Sequence, residues 1–276
     1  MLSPISTVSD PAVPTPRQLI LRLLLAAEEG ELEASSAIRA CSLFDISANN
    51  ARVALARLQA AGLIDTVGRG AYRLGPAGRT LGEAVGAWRD AEQRLTEWNG
   101  SWVMVLTAAL GRSDRKALRA RERAFGLIGM HELHDGAYIR PNNLDGGVPY
   151  VRERLQSLGL ERTTPVFQAT ELEPELEVRA RGLWGVGLLE RNYASRQQAL
   201  EESMARFSSL PLAKAALEAY YLGDEAVRQI VFDPLLPEPL VSETARRAFR
   251  EVVKRYDSAG HQVWREFLAS AGAVPE

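Results

Sequence analysis

Asn49, Asn50, Arg52, Val53 and Arg57 crowd into one segment that reads as a helix, opened by Ser47 and closed by Gly62. Asn can pair with adenine and Arg with guanine by two hydrogen bonds each, and a valine can lie against a thymine methyl. Arg57 suits a DNA contact or an ion pair within the fold. Arg69 stands between Gly68 and Gly70 at a predicted hairpin tip, where it fits a phosphate or minor-groove contact. Arg73, beside Tyr72, equally suits DNA contact and plain surface charge. Between Arg52 and Arg79 the basic residues are Arg52, Arg57, Arg69, Arg73 and Arg79, against a single acid, Asp65. The chemistry this pattern offers is recognition of duplex DNA.

The elements that must hold these residues follow from the flanking pattern. Ser47 can accept from the free N–H groups of a first turn, and Gly62 can end a helix in the left-handed conformation. Ala51, Ala54, Leu55 and Leu58 then share one face that docks on a core, while Asn49, Val53, Ala56 and Ala60 line a slim outer face. Upstream, Leu19, Ile20, Leu23, Leu24 and Ala27 predict a helix ending at Gly30. A second helix over about Ser35–Leu43 puts Ala37, Ile38 and Cys41 inward, before the turn Phe44-Asp45-Ile46. Leu63 to Leu74, broken by Gly68-Arg69-Gly70, reads as a β-hairpin. Together these predict a winged helix-turn-helix over residues 15–98, with a connector helix from Thr80 to about Trp98 and a flexible tail at 1–14. A solvated helix and hairpin of an unrelated α+β domain remains the alternative from this stretch alone.

Beyond residue 98 the period changes. Trp102 to Thr107 reads as a buried strand, and Ser113-Asp114 caps a charged helix through about Phe125. Leu127–Leu133 and Ala137–Ile139 read as a strand pair joined at Asp135-Gly136. A helix from Pro149 to Leu158 and a strand over Pro165–Thr170 complete the order βαββαβ, which describes a ferredoxin-like domain over 99–173, of a kind whose sheet often continues across a dimer. Residues 174–276 read as helices: one beginning at Ser195, two over Leu212–Leu222 and Asp224–Phe232, and a last one capped by Ser242. The prolines of Asp233-Pro234-Leu235-Leu236-Pro237-Glu238-Pro239 interrupt them. The expected fold class is α+β and multidomain: an N-terminal winged helix-turn-helix, a central ferredoxin-like βαββαβ domain and a C-terminal helical domain.

Composition narrows the function classes. The chain has 276 residues and a net charge of -2, which argues against a protein coated with nucleic acid but not against a regulator with one basic face. Cys41 is the only cysteine, so no intrachain disulfide and no Cys-rich zinc site is possible. That fits a reducing cytoplasm. The start Met1-Leu2-Ser3-Pro4-Ile5-Ser6 lacks a signal-peptide pattern, and Arg22 interrupts the most apolar run, Leu19–Ala27. Neither secretion nor membrane insertion is expected.

Four segments, in order, resemble the PaaX family, bacterial repressors of phenylacetic acid degradation and related aromatic catabolism. They are Ala51-Arg52-Val53-Ala54-Leu55-Ala56-Arg57-Leu58 with Gly62-Leu63-Ile64; Trp98-Asn99-Gly100-Ser101-Trp102; Gly126-Leu127 with Gly136-Ala137-Tyr138-Ile139-Arg140-Pro141; and Asp233-Pro234-Leu235-Leu236-Pro237-Glu238. The resemblance implies a dimeric, cytoplasmic transcriptional repressor, with no enzymatic activity and no cofactor. It binds operator DNA through its winged helix and is released by an aryl-acetyl-coenzyme A such as phenylacetyl-coenzyme A. A PaaX-like regulator answering to a non-CoA aromatic intermediate is the nearest alternative.

For an effector the C-terminal part offers Trp184, Tyr193, Phe207, Tyr220 and Tyr221, with Arg191 and Arg196 as cations for coenzyme A phosphates. The competing reading of each aromatic is core packing. Arg115, Arg119, Arg121 and Arg123 read as a solvated or dimer-facing basic group. Enzyme readings find little footing. His131 and His134 with Asp135 make at most a fragment of a metal site, on a predicted strand and turn without a defined third ligand, and read rather as surface histidines. The predicted strand Met104-Val105-Leu106-Thr107-Ala108 has no carboxylate of the kind a ferredoxin-like nuclease would use. An enzyme acting on coenzyme A esters and a module binding an acidic protein partner are the readings from other classes.

Overall fold

The computed structural model describes residues 13–27, 30–68, 70–111 and 113–270, without the side chains of 83–85. Arg69 and most of the expected tail lie outside the described residues. These gather into two compact units, neither continuous in the chain. One takes residues up to Ala87 with Glu201–Asp224 and the chain from Lys254 onward; the other takes Trp88–Leu200 with Glu225–Val253.

In the first unit, α1 (Pro16–Ala26) begins with a capping box in which Thr15 and Gln18 satisfy each other's backbone N–H groups. It buries Leu19, Ile20, Leu21, Leu23 and Leu24. β1 (Glu31–Glu33) leads into α2 (Ala34–Ser42), α3 (Ala48–Ala60), the hairpin β2 (Ile64–Val67) and β3 (Ala71–Leu74), and α4 (Pro76–Gly86). The sheet is antiparallel in the order β1-β3-β2, with Leu32 opposite Tyr72 and Val67 opposite Ala71. β1 was not expected, since only Leu32 of its three residues points inward. Cys41 is fully buried among Ala37, Ala40 and Leu55, as its helical spacing predicts. The same core takes Ala215, Ala216, Val263, Trp264 and Phe267 from far along the chain.

In the second unit a 3-10 segment, Ala87–Arg94, precedes β4 (Trp102–Leu106), α5 (Arg115–Ile128), β5 (His131–His134), β6 (Ala137–Pro141), α6 (Gly147–Ser157) and β7 (Val166–Ala169). The sheet is antiparallel, ordered β5-β6-β4-β7. α5 and α6 cover one face through Phe125, Ile128, Val151 and Leu155. α7 (Pro174–Gly182), α8 (Val186–Arg206), α9 (Leu212–Val231) and α10 (Glu243–Ala269) follow, and the last three contribute residues to both units.

Several boundaries differ from expectation. The connector helix stops at Gly86 and tightens into the 3-10 segment instead of running to Trp98. Leu127 and Ile128 extend α5 rather than opening a strand; Gly129, at φ 69°, then turns the chain so that Met130 donates to Phe125 O. A short apolar run suits either element, and the left-handed glycine decides here. α8 starts nine residues before Ser195, at Val186. α9 passes unbroken through Gly223, which faces the Tyr256 ring and needs no side chain. Arg121 is not solvated: it is 6% exposed and pairs with Glu161 at 2.6 Å, while Arg115, Arg119 and Arg123 are exposed.

Candidate nucleic-acid interface

α3 is presented with one face docked and the other bare. Ser47 caps it, its hydroxyl oxygen accepting from Asn50 N at 3.2 Å, and Leu63 N donates back to Leu58 O at 3.0 Å beyond Gly62, whose φ is 67°. Ala51, Ala54, Leu55 and Leu58 are buried. Asn49, Asn50, Arg52, Val53, Ala56, Arg57 and Ala60 face solvent, so the structure brings together on one surface the residues expected there. Val53 is 40% exposed, a large apolar side chain left uncovered between polar neighbours.

Among the described residues, Arg17, Arg52, Arg57 and Arg73 have no ion-pair partner. For Arg17, Arg52 and Arg57, no carboxylate among the described residues pairs with the charge. A groove of about 350 Å³ runs beside α3, lined by Thr15, Pro16, Arg17, Asn50, Val53 and Arg57 among others. It sets two guanidiniums and the N-terminus of α1 along one wall of α3, an arrangement that favours an anion. Arg17 was missed by sequence reasoning, although the Thr15-to-Gln18 capping signature could have placed it in the first turn. Arg73 lies on β3 opposite both Glu31 on β1 and Asp65 on β2, so the sheet surrounds it with acids.

The residues proposed from sequence for an effector fall in both units. Trp184 donates its indole N–H to Gly129 O at 3.1 Å and stacks with Trp102 at 6.2 Å. Tyr193 is buried and donates to Asp233 Oδ2 at 2.6 Å, while Arg196 pairs with Glu225 and Arg191 is exposed. Tyr220 belongs to the first unit, its ring 4.9 Å from Phe44. Each aromatic thus has a structural role. Among the described residues no group of three or more His, Cys, Asp or Glu could hold a metal ion, and no helix is long and apolar enough to cross a membrane.

By fold this is a mixed α/β protein, mostly helical, with two small antiparallel sheets and a helical C-terminal region. Residues 184–266 match the family described as PaaX-like protein C-terminal domain. Among solved structures, the uncharacterized protein Rv0674 from Mycobacterium tuberculosis is similar at a TM-score of 0.58 and 21% identity, over 90% of this chain and 98% of that one. The likeness extends the shared fold well beyond the matched C-terminal segment. Comparison with curated proteins finds no match.

Proposed function

We propose that the chain is a transcriptional repressor that binds operator DNA as a homodimer and is released by a small molecule of aromatic catabolism, an aryl-acetyl-coenzyme A such as phenylacetyl-coenzyme A. In this reading residues 15–98 form a winged helix-turn-helix, 99–173 a ferredoxin-like dimerisation domain, and 174–276 the effector-sensing part. The observation that carries it is the outer face of α3. Asn49, Asn50, Arg52 and Val53 supply donors, acceptors and a methyl-contacting surface at helical spacing, with no ion-pair partner among the described residues for Arg52 or Arg57.

α3 lies in the major groove and reads base edges, and Arg17 and Arg57 at the adjoining groove meet a backbone phosphate with the N-terminus of α1. Ser47 keeps a free hydroxyl proton for a phosphate while it caps the helix. Arg69, placed between β2 and β3 by sequence alone, is assigned to a second phosphate or the minor groove, and Arg73 contributes only to the field. For the dimer, the four-stranded sheet offers β5 and β7 as edges, and Phe167 on β7 is 38% exposed. The PaaX-like match over residues 184–266 supports the regulator class and, by family, the aromatic effector.

The test is fluorescence anisotropy of the full chain on the intergenic DNA upstream of its own gene, at several salt concentrations, with and without phenylacetyl-coenzyme A. Binding that depends on sequence, weakens with salt and is lost with the thioester is expected. Binding indifferent to sequence would remove the repressor reading, and binding indifferent to the thioester would remove the effector.

A further inference from the structure

Arg246 and Arg250, one turn apart on α10, are 0% and 1% exposed. Arg246 donates through Nη1 to Leu236 O and through Nε to Glu92 Oε1 at 3.1 Å. Arg250 donates through Nη2 to the carbonyl of Trp88, and its Nε is 3.8 Å from the same Glu92 oxygen. One nitrogen on each guanidinium, Arg246 Nη2 and Arg250 Nη1, is buried and has no acceptor among the described residues. Buried donors are seldom left so, and here two of them sit on cations that share one counter-ion.

Glu92 is a poor match for this pair. It offers a single oxygen to both arginines, while its Oε2 lies 3.9 Å from Nε of the exposed Arg247. A guanidinium edge is built to take both oxygens of a carboxylate in parallel. The other acid nearby, Asp233, is already engaged by Tyr193 and by Leu235 N. Burial raises the Asp233 carboxyl above its ordinary range and lowers Arg250 below its own. The two buried guanidiniums therefore share one facing carboxylate oxygen. Glu92 is 26% exposed, against 0% and 2% for the side chains of Arg246 and Arg250, and lies on the 3-10 segment Ala87–Arg94, which follows α4 directly.

We propose that Arg246 and Arg250 form a binding site for a small organic carboxylate, which Glu92 occupies as an internal stand-in, and that the ligand displaces Glu92 and frees the Ala87–Arg94 segment. The site does not depend on the DNA-binding reading, and it is tested without DNA.

Acetate, benzoate and inorganic phosphate are titrated into the full-length protein by calorimetry at constant ionic strength set with chloride. Glu92→Gln removes the stand-in and leaves both guanidiniums without their carboxylate. The variant is expected to bind acetate or benzoate at least tenfold more tightly than the wild type, and its melting temperature is expected to rise with added carboxylate more than the wild type's does. Arg250→Met in the Glu92→Gln background is expected to abolish both effects. Hydrogen exchange in residues 87–94 of the wild type is expected to quicken with saturating carboxylate. Equal affinity in wild type and Glu92→Gln, no saturable binding by either, phosphate binding more tightly than both carboxylates, or unchanged exchange in 87–94 would each overturn the proposal. Glu92 is partly exposed, so its variant keeps the test decisive even where a variant at buried Arg250 does not fold.

Discussion

Replacing Tyr193 with Phe isolates one hydrogen bond in the interior of the second unit. The Tyr193 ring is 1% exposed and stacks on Phe249 at 5.3 Å, so Phe fills the same space and opens no cavity. What is lost is the hydroxyl that donates to Asp233 Oδ2 at 2.6 Å. Burial raises the Asp233 carboxyl above its usual value, while the Tyr193 hydrogen bond, the backbone bond from Leu235 and the charges of Arg246 and Arg250 pull it down. A hydrogen bond to a charged group contributes about 1.5–3 kcal/mol and a neutral pair about 0.5–1.5 kcal/mol. The substitution should therefore cost about 2 kcal/mol where Asp233 is ionised in the folded state and roughly 1 kcal/mol where it is protonated. A folded pKa above the unfolded value of 3.8 gives a contribution to stability that is complete below that value and is lost as pH rises through the folded one. Removing the hydroxyl raises the folded value further and deepens that loss. The gap between wild type and variant thus widens with rising pH. Urea unfolding at a series of pH values reads it, with the midpoint shifting and the slope unchanged. A gap below about 0.5 kcal/mol, the ordinary scatter of a neutral substitution, or one that does not change with pH, would refute the reasoning.

Arg52→Ala touches an exposed side chain with no ion-pair partner among the described residues, so stability should move by no more than about 0.5 kcal/mol while, on the repressor reading, operator discrimination falls by about 1–3 kcal/mol. Parallel melting and anisotropy measurements separate the two effects. Arg57→Ala should instead weaken binding to all duplexes alike and reduce the salt slope by about 1. Burial pushes the Cys41 thiol up to about 11 from 9.0, which lowers its thiolate fraction about a hundredfold. Labelling by a disulfide reagent should wait for unfolding, and fast labelling of native protein would contradict the placement of α2. Gly129→Ala puts a side chain at φ 69° and a Cβ 2.5 Å from the Pro234 Cα. It should cost at least the roughly 1–2 kcal/mol of a left-handed residue, read by thermal melting.

α3 was legible because Ser47, Gly62 and the spacing of Ala51, Ala54, Leu55 and Leu58 each demand the same helix, and an exposed face is whatever such a stripe leaves over. The motif segments became intelligible only with coordinates. Trp98 donates to Ser101 O across a turn in which Asn99 Oδ1 accepts from Ser101 and Gly100 takes φ 85°. Asp233 similarly fixes Leu235 at φ 51° and so offers Leu235 O to Asn143 and Leu236 O to Arg246. β1 escaped notice because three residues with one buried side chain carry too little pattern. The packing roles of the aromatics proposed for an effector were not legible, because an aromatic at helical spacing looks the same whether it lines a pocket or fills a core. Arg246 and Arg250 did leave a trace: they fall in register with Phe249 and Val253 on the apolar stripe of α10, where a charge calls for a partner.

Ala215, Ala216, Val263, Trp264 and Phe267 lie in the same core as α1, α2 and α3. A fragment ending near Ala87 would lack them and expose Phe44, whose ring meets Tyr220, Tyr221 and Trp264. The part that carries α3 is thus not a detachable cassette. Grafting it onto another protein, or exchanging it between relatives, requires carrying over portions of α8, α9 and α10 as well. Inheritance of this part by simple domain shuffling is disfavoured, and changes to the exposed face of α3 are more readily made by substitution within an intact chain.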